Sequence, residues 1–388
     1  MRRALLAALV VVLAGAGEAA ADQLAFDCGD GFANVCRARP DGTGLQQLTT
    51  GGDATRSTDR FYRAPALTRD GRTLAYVFES DVYLRRLGSG PTLHATVQFS
   101  PLLIRFRPDG ARFAVAELSA VIGGTQVCTY NSDLSGTNEG RYCIASGVSS
   151  GMDYLPDGRL LMSRRGGTAT GGRTVISLLR PEDGGPTGVE RNLVDDPAFN
   201  LESPSVSPDG RFVAVVQAPL TGGTTGDVAL YDLATGALVR TLTSGGGAAA
   251  PAFSPDGRRV AFDRGEAIWV TSATGAPGSE RRIVPRGRTV SWGGGTIPRA
   301  FTALTVARRH RDLLVRGRLR IARAGSRVLV EARRGGRRAG RFTRRSAKRG
   351  VLKFAVAVGR PGRVTLRITV TPPGRGPDVA TRAVRVSR

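Results

Sequence analysis

Residues 251–262 read PAFSPDGRRVAF, a stretch that predicts two short strands joined by a tight turn. Pro255 fixes its φ angle at about −65°, Asp256 can accept a hydrogen bond from the following backbone, and Gly257 tolerates the positive φ that closes the reversal. Four-residue connections of this kind join antiparallel neighbours. The apolar, β-prone segment 260–262 is then expected to be a buried strand.

The same turn recurs along the chain. Its copies are Asp70-Gly71, Asp109-Gly110, Asp157-Gly158, Asp209-Gly210 and Asp256-Gly257. Successive aspartates lie 39, 48, 52 and 47 residues apart. A period of about 40–50 residues with several strands per repeat is typical of a β-propeller blade. We interpret each Asp-Gly pair as a structural turn rather than a ligand set, because turn geometry alone accounts for both residues.

The first repeat lacks its first strand. Segments 24–26, 33–36 and 45–48 match the second, third and fourth strands of the later repeats. Segment 289–292, after the sixth repeat, can supply the missing strand, and a ring closed by both ends of the domain leaves no open sheet edge. The sequence therefore predicts an all-β chain that begins with a six-bladed β-propeller.

The repeat PAFSPDGRRVAF, with a later apolar strand and a Leu-Thr ending at Leu48-Thr49 and Leu242-Thr243, resembles the TolB-type, WD-repeat-like propeller repeat. The resemblance covers residues 22–292. The chain differs from TolB in lacking a separate N-terminal α/β domain before the blades. The resemblance implies a protein-binding scaffold, or in some members a propeller attached to a peptidase or lyase.

The N-terminal residues 1–21 have the pattern of a secretory signal peptide. Arg2 and Arg3 precede an apolar segment, 4–16, and Ala19-Ala20-Ala21 forms a small-residue cleavage site. The apolar segment is shorter than the ~20 residues needed to span a bilayer. We therefore expect a secreted or cell-envelope protein with no transmembrane helix in the mature chain.

The four cysteines fit export, because exported cysteines are free to pair. Cys28 and Cys36 flank a Gly-Asp-Gly turn, and Cys128 and Cys143 flank a turn-rich segment, which predicts these two disulfides. A zinc site is the alternative, but the chain has no C-x-x-C spacing and its two histidines lie far apart. No metal or other cofactor is predicted.

From about residue 300, short apolar strands alternate with turns and predict a small immunoglobulin-like β-sandwich over 300–388, after a propeller over 22–295. Residues 301–388 hold 25 basic and three acidic residues, whereas the rest of the chain holds 31 basic and 29 acidic ones. The densest basic patch consists of Arg333, Arg334, Arg337, Arg338, Arg344 and Arg345. This asymmetry indicates an anionic envelope polymer or lipid as partner, with nucleic acid disfavoured by export and by the lack of stacking aromatics. The alternative is a solvated face that reflects an arginine-rich coding bias.

Two motifs resemble functional sites. Residues 147–151 match the G-x-S-x-G pattern of hydrolases, but no helix or nearby histidine follows, so we interpret them as a linker. Residues 131–136 begin like a calcium loop, but Tyr142 stands where a bidentate Glu is needed, which favours a hairpin tip. The insertions 123–125 and 166–172 are candidate contact loops.

The sequence therefore predicts an exported, non-enzymatic binding or scaffold protein of the cell envelope. Propeller loops would bind a protein or glycan, and the basic domain would contact the envelope. The alternative is a glycan- or peptide-active hydrolase or lyase with its site at the channel mouth. Three or more arginine or carboxylate side chains converging in the channel would favour the enzyme or glycan interpretation.

Overall fold

A computed structural model describes residues 22–52, 62–88, 92–97, 100–119, 124–132, 142–145, 148–166, 168–179, 189–221, 223–294, 301–308, 314–321, 325–334, 337–348, 350–358, 362–371 and 378–386. The predicted signal peptide, 1–21, lies outside these residues. The described part of the chain is all-β, with 31 strands and two single-turn 3₁₀ helices, Asp30–Phe32 and Thr168–Thr170. No helix in these ranges is long and apolar enough to cross a membrane.

Six four-stranded antiparallel sheets form the blades of a propeller, and the strands of each blade run in the following order from the innermost outward. Blade 1 consists of β24 (Arg288–Gly293), β1 (Gln23–Cys28), β2 (Asn34–Ala38) and β3 (Gln46–Gln47). Blade 2 consists of β4 (Arg63–Leu67), β5 (Thr73–Phe78), β6 (Asp81–Arg86) and β7 (Thr92–Thr96). Blade 3 consists of β8 (Ser100–Phe106), β9 (Arg112–Ser119), β10 (Gly124–Asn131) and β11 (Tyr142–Ala145). Blade 4 consists of β12 (Val148–Tyr154), β13 (Leu160–Arg165), β14 (Thr174–Leu179) and β15 (Val189–Val194). Blade 5 consists of β16 (Asn200–Val206), β17 (Phe212–Ala218), β18 (Asp227–Asp232) and β19 (Leu238–Thr241). Blade 6 consists of β20 (Ala248–Phe253), β21 (Arg259–Arg264), β22 (Ala267–Ser272) and β23 (Arg281–Val284).

The six blades form a closed ring. Their innermost strands contact one another in cyclic order: β4, β8, β12, β16, β20, β24 and back to β4. Blade 1 draws on both ends of the ring, because β24 pairs antiparallel with β1 and places Trp292 opposite Leu24. The predicted six-bladed propeller is confirmed, and so is the predicted source of its missing strand.

Apolar side chains between neighbouring sheets form the core. In β21, the fully buried Val260 and Phe262 pack toward blade 5, while Ala261 packs toward blade 1. Burying a Phe side chain contributes roughly 1.5–3 kcal/mol. Because the centre of β21 is covered on both faces, residues 260–262 are a continuous apolar run rather than an alternation of apolar and polar residues.

The repeated Asp-Gly turns share one hydrogen-bonding geometry. Asp256 Oδ1 accepts the Arg258 N–H at 3.0 Å and the Ser254 hydroxyl at 2.6 Å. The four other turn aspartates likewise accept the N–H two residues further on. Gly257 adopts a φ of 74°, a left-handed conformation that side chains disfavour. Within this structure the turn aspartates therefore serve the backbone.

The C-terminal unit is a β-sandwich of two antiparallel sheets. One sheet contains β25 (Phe301–Arg308), β26 (Leu314–Ile321) and β29 (Gly350–Ala357). The other contains β28 (Arg337–Arg345), β27 (Arg327–Arg334), β30 (Gly362–Thr371) and β31 (Asp378–Val386), in that order across the sheet. Val330, Phe354 and Ile368 are among the buried residues between them. The predicted small sandwich is confirmed, and its immunoglobulin-like character stays a prediction.

Contacts divide the chain into two compact units, one spanning residues 19–297 and one that includes residues 298–388. The predicted domain boundaries at 295 and 300 stay predictions. Both predicted disulfides are confirmed: Cys28–Cys36 joins β1 to β2, and Cys128–Cys143 joins β10 to β11.

Candidate functional site

The innermost strands of all six blades line a central cavity of about 120 Å³. Its lining includes small residues, prolines and four aromatic residues, Phe106, Tyr154, Phe253 and Trp292. The charged residues in the described lining are Arg69, Arg105 and Asp153. Three charged residues therefore line the channel, which is the arrangement that favours the enzyme or glycan interpretation.

The repeat explains why Arg105 and Asp153 share the channel wall. Both lie four residues before the aspartate of their turn, a position held by Ala66, Ser205 and Ala252 in the other repeats. At this position the side chain can accept the backbone N–H of the next blade's innermost strand. The observed bonds are Val206 N to Asp153 Oδ2 at 2.7 Å, Phe253 N to Ser205 Oγ at 3.0 Å and Leu67 N to Ser291 Oγ at 3.0 Å.

Arg105 and Asp153 are partly buried charged residues, and both belong to the lining of the cavity. Burial raises the pKa of Asp153, while Arg105 and the N–H groups of Val206 and Tyr154 act in the opposite direction. Burial lowers the pKa of Arg105, and Asp153 opposes that shift. The Arg105 Nη1 donates to its neighbour Ile104 O at 2.9 Å. Among the described residues, Arg105 therefore keeps N–H donors that a ligand in the cavity can use.

Arg69 lies at the end of the channel where the repeated turns meet. It occupies the place of the proline that precedes Asp-Gly in the other four repeats. Its Nη2 donates to Pro208 O at 3.4 Å, which joins blade 2 to blade 5 on the opposite side of the ring. The side chain thus crosses the channel at that end.

A second set of charged residues lies at the seam where blade 1 closes, outside the cavity lining. Asp263 Oδ2 accepts the N–H of Thr289 at 2.7 Å, and Thr289 holds a left-handed φ of 53°. Burial and the nearby Asp263 raise the pKa of Asp27 well above its ordinary value, with hydrogen bonding to Thr289 only partly offsetting that shift. These carboxylates hold the closing strand in place.

None of the residues singled out as motifs belongs to the described lining of the cavity, although the G-x-S-x-G match shares strand β12 with Asp153. Residues 148–151 of the G-x-S-x-G match belong to strand β12 rather than to a strand-to-helix elbow. The supposed insertion 123–125 largely belongs to β10, where Thr125 pairs with Leu118. The candidate loop 166–172 contains a 3₁₀ turn and is closed by a Gly166 N–H bond to Arg173 O. Most of the candidate calcium loop lies outside the described residues.

The basic patch falls into two clusters on the β27–β28 hairpin. Arg333 pairs with Arg338 and Arg334 with Arg337 beside the turn, so four of the six arginines meet there. Arg344 and Arg345 lie at the far end of β28, about 20 Å along the strand. The acidic residue of this hairpin is Glu331 on β27, whose Oε2 lies 3.7 Å from Arg333 Nη2.

Sequence reasoning missed Arg69, Arg105 and Asp153. The signal lay in departures from the repeat: a cation where four repeats have proline, and charges at a position that is otherwise small. These substitutions leave the repeat pattern intact, so a prediction based on that pattern does not detect them.

In the described part of the chain, no group of three or more His, Cys, Asp or Glu side chains could hold a metal ion.

No protein-family model and no curated protein matches the chain. Among solved structures, it is similar to a protein assigned as a TolB of Agrobacterium tumefaciens, at 17% identity and a TM-score of 0.49, covering 72% of this chain and 91% of that one. It is also similar to the hydrazine synthase of Kuenenia stuttgartiensis, at 14% identity and a TM-score of 0.43, covering 70% of this chain and 80% of that one. These likenesses are too weak to add an argument, and the propeller is established by the strand pairing itself.

Proposed function

We propose that the chain is an exported, non-enzymatic binding protein of the cell envelope. In this proposal the propeller is the ligand-binding scaffold and the sandwich contacts an anionic envelope surface. The two disulfides support export, because disulfides persist in oxidising compartments outside the cytoplasm. The predicted signal peptide has the same implication.

The observation that carries envelope contact is the composition of β28. This nine-residue strand lies at the edge of its sheet and bears five exposed arginines and no acidic residue: Arg337, Arg338, Arg341, Arg344 and Arg345. Each basic residue near an anionic membrane surface contributes about 1 kcal/mol of attraction. A row of five spread along one exposed edge suits an extended anionic surface better than a single small ligand.

Charged edge strands also have a purely protective use, since charge prevents one sheet edge from pairing with another. The two interpretations predict different behaviour. If the arginines only protect the sheet edge, the protein should stay soluble and need not bind anionic vesicles. If they contact the envelope, the protein should bind an anionic surface with an affinity that falls steeply as the salt concentration rises.

The test is co-sedimentation of residues 22–388 with phosphatidylcholine vesicles, with and without 30% phosphatidylglycerol. We expect binding to the anionic vesicles at low salt and its loss near ~1 M salt, where charges are screened within about 3 Å. Replacing the five β28 arginines with glutamine is expected to weaken binding about 100-fold or more.

The matched control replaces five exposed propeller arginines with glutamine: Arg39, Arg258, Arg281, Arg282 and Arg286. The total change in charge is then the same, so net charge alone predicts equal losses. Equal weakening in the two variants, or binding indifferent to salt, would refute envelope contact through β28.

The alternative, a glycan- or peptide-active hydrolase or lyase, gains from the three channel charges but lacks a second acid. Most glycoside hydrolases need a pair of carboxylates about 5–9.5 Å apart. Asp153 is the one carboxylate in the described lining of the cavity. We therefore favour binding over catalysis in the channel.

A further inference from the structure

The central cavity has the size and charge of a site for a small organic anion. A single buried water needs about 10–15 Å³ of such space, so 120 Å³ offers roughly eight to twelve water-sized positions. Two arginines and one aspartate in its described lining leave a net charge of +1. A monoanion therefore neutralises the site, whereas a dianion overcompensates it.

Arg105 is the cationic group of the cavity that is best placed to bind an anion. A guanidinium has five N–H donors, and within the described residues Arg105 uses one of them, for Ile104 O, which leaves four. In the described part of the chain no carboxylate forms a direct ion pair with Arg105, and Asp153 attracts it without touching it. Buried cations are normally paired. The planar fork of donors matches a carboxylate.

Asp153 determines which second functional group the ligand needs besides its anionic group. Its two oxygens accept the N–H groups of Tyr154 at 2.8 Å and Val206 at 2.7 Å, which hold the carboxylate in place. A carboxylate has about four acceptor positions, so acceptor capacity remains on the cavity side. A hydroxyl group on the ligand can use it without adding charge.

The remaining wall limits the body of the ligand. The wall beside the charges includes apolar surface from Phe106, Phe253, Trp292 and the prolines of the repeated turns, together with several serines. Such surroundings strengthen the attraction between Arg105 and an anion relative to water. They also favour a short carbon skeleton over a fully hydrated inorganic ion.

We propose that the propeller channel binds a small hydroxycarboxylate, with its carboxylate on Arg105 and its hydroxyl on Asp153. This site goes beyond envelope contact and uses none of the arginines of β28. The two proposals can therefore fail separately.

The test follows unfolding of residues 22–388 by tryptophan fluorescence, since both tryptophans lie in the propeller. The probes are glycolate, acetate, glycine and inorganic phosphate at matched ionic strength. We expect glycolate to raise the unfolding temperature most, because acetate lacks the hydroxyl, glycine carries no net charge and phosphate carries too much. Isothermal titration with glycolate then gives the affinity.

Arg105→Gln is expected to weaken glycolate binding about 10- to 150-fold, the range for loss of a charged hydrogen-bonding partner. Arg105→Lys keeps the positive charge but lacks the planar pair of donors, and we expect an intermediate loss of glycolate affinity. Asp153→Asn should bring the glycolate and acetate affinities together. Arg107→Gln, two residues further on and outside the cavity lining, is the matched control and should leave binding unchanged.

If no probe stabilises the wild-type chain, the proposal is wrong. It is also wrong if phosphate binds best, or if Arg105→Gln and Arg107→Gln have equal effects. Should Arg105→Gln fail to fold, Arg105→Lys decides, and an unchanged glycolate affinity in that variant overturns the assignment of Arg105.

Discussion

Trp292→Ala is expected to open the propeller at the seam where its two ends meet. Trp292 lies on the closing strand β24, is 6% exposed and packs in the cluster that contains Leu24. Its indole N–H donates to Asp22, and the Arg259 guanidinium lies 4.9 Å from the ring centroid. Removing a buried Trp side chain costs about 3–5 kcal/mol of unfolding free energy. Asp22 keeps a 2.8 Å bond to Arg259, so we expect a loss of about 4 kcal/mol rather than more.

The assay is urea unfolding of residues 22–388 followed by tryptophan fluorescence. The chain has two tryptophans, and both lie in the propeller, so the signal does not include the sandwich. For a unit of this size a loss of 4 kcal/mol corresponds to a fall of about 8–16 °C in Tm. Trp292→Phe keeps a ring beneath Arg259 but loses the N–H, and should cost about 1–2 kcal/mol.

The matched control is Trp269→Ala. Trp269 lies on β22 within blade 6, is only partly buried and donates to Arg264 O at 3.2 Å. Because its side chain packs toward blade 5 rather than in the cluster of the closing strand, we expect a smaller loss of about 1–2 kcal/mol. If Trp269→Ala lowers the unfolding free energy as much as Trp292→Ala does, the closing strand β24 would contribute no more to the stability of the ring than strands elsewhere in the blades.

Three further changes test other parts of the fold. Replacing Cys28 and Cys36 with alanine opens a loop with a sequence separation of 8 and should cost about 2.6 kcal/mol in urea unfolding; a loss below about 1 kcal/mol would contradict the chain-entropy estimate. Asp27→Asn tests the raised pKa of that carboxyl: the folded state holds its proton to higher pH than the unfolded state, so wild-type stability falls as pH rises above about 4. The asparagine of the variant does not titrate, so the unfolding free energy of the variant relative to wild type should rise between pH 4 and pH 7. If that difference in unfolding free energy stays constant with pH, the raised pKa of Asp27 is excluded. Gly257→Ala places a side chain at a φ of 74° and should cost about 1–2 kcal/mol by thermal unfolding, with no loss expected for the same change at an exposed residue of negative φ.

Much of the propeller could be predicted because its turns depend on local chemistry. Asp256 supplies the hydrogen-bond acceptor and Gly257 the positive φ that one turn requires, and both lie within a few residues of each other. The regular spacing of five such turns then indicates the repeat. The closing strand could be predicted from the missing strand of the first repeat, because a ring without an edge requires it. These conclusions need no knowledge of how distant residues pack.

The channel could not be predicted in the same way. Whether Arg105 faces solvent, a neighbouring blade or the axis depends on the pleat and twist of β8 within the complete ring. Similarly, Ala64, Ser203, Ala250 and Thr289 adopt left-handed φ angles in innermost strands, although none is glycine. All four lie where the register between the innermost strand and its neighbour shifts, as in a β-bulge. Ala64, Ser203 and Ala250 each precede a proline, but that pattern alone does not predict a left-handed φ.

The closing strand also determines how the chain would respond to tension. β24 is the last strand of the propeller, and the chain continues from it to β25 of the sandwich. Within its sheet, β24 is an end strand that pairs with β1 alone. A pull between a tethered sandwich and a bound propeller therefore loads the β24–β1 hydrogen bonds before any other pair in the ring. Under such a pull we expect mechanical failure to begin at the seam that completes the propeller, after which the remaining five blades would unfold from a free edge.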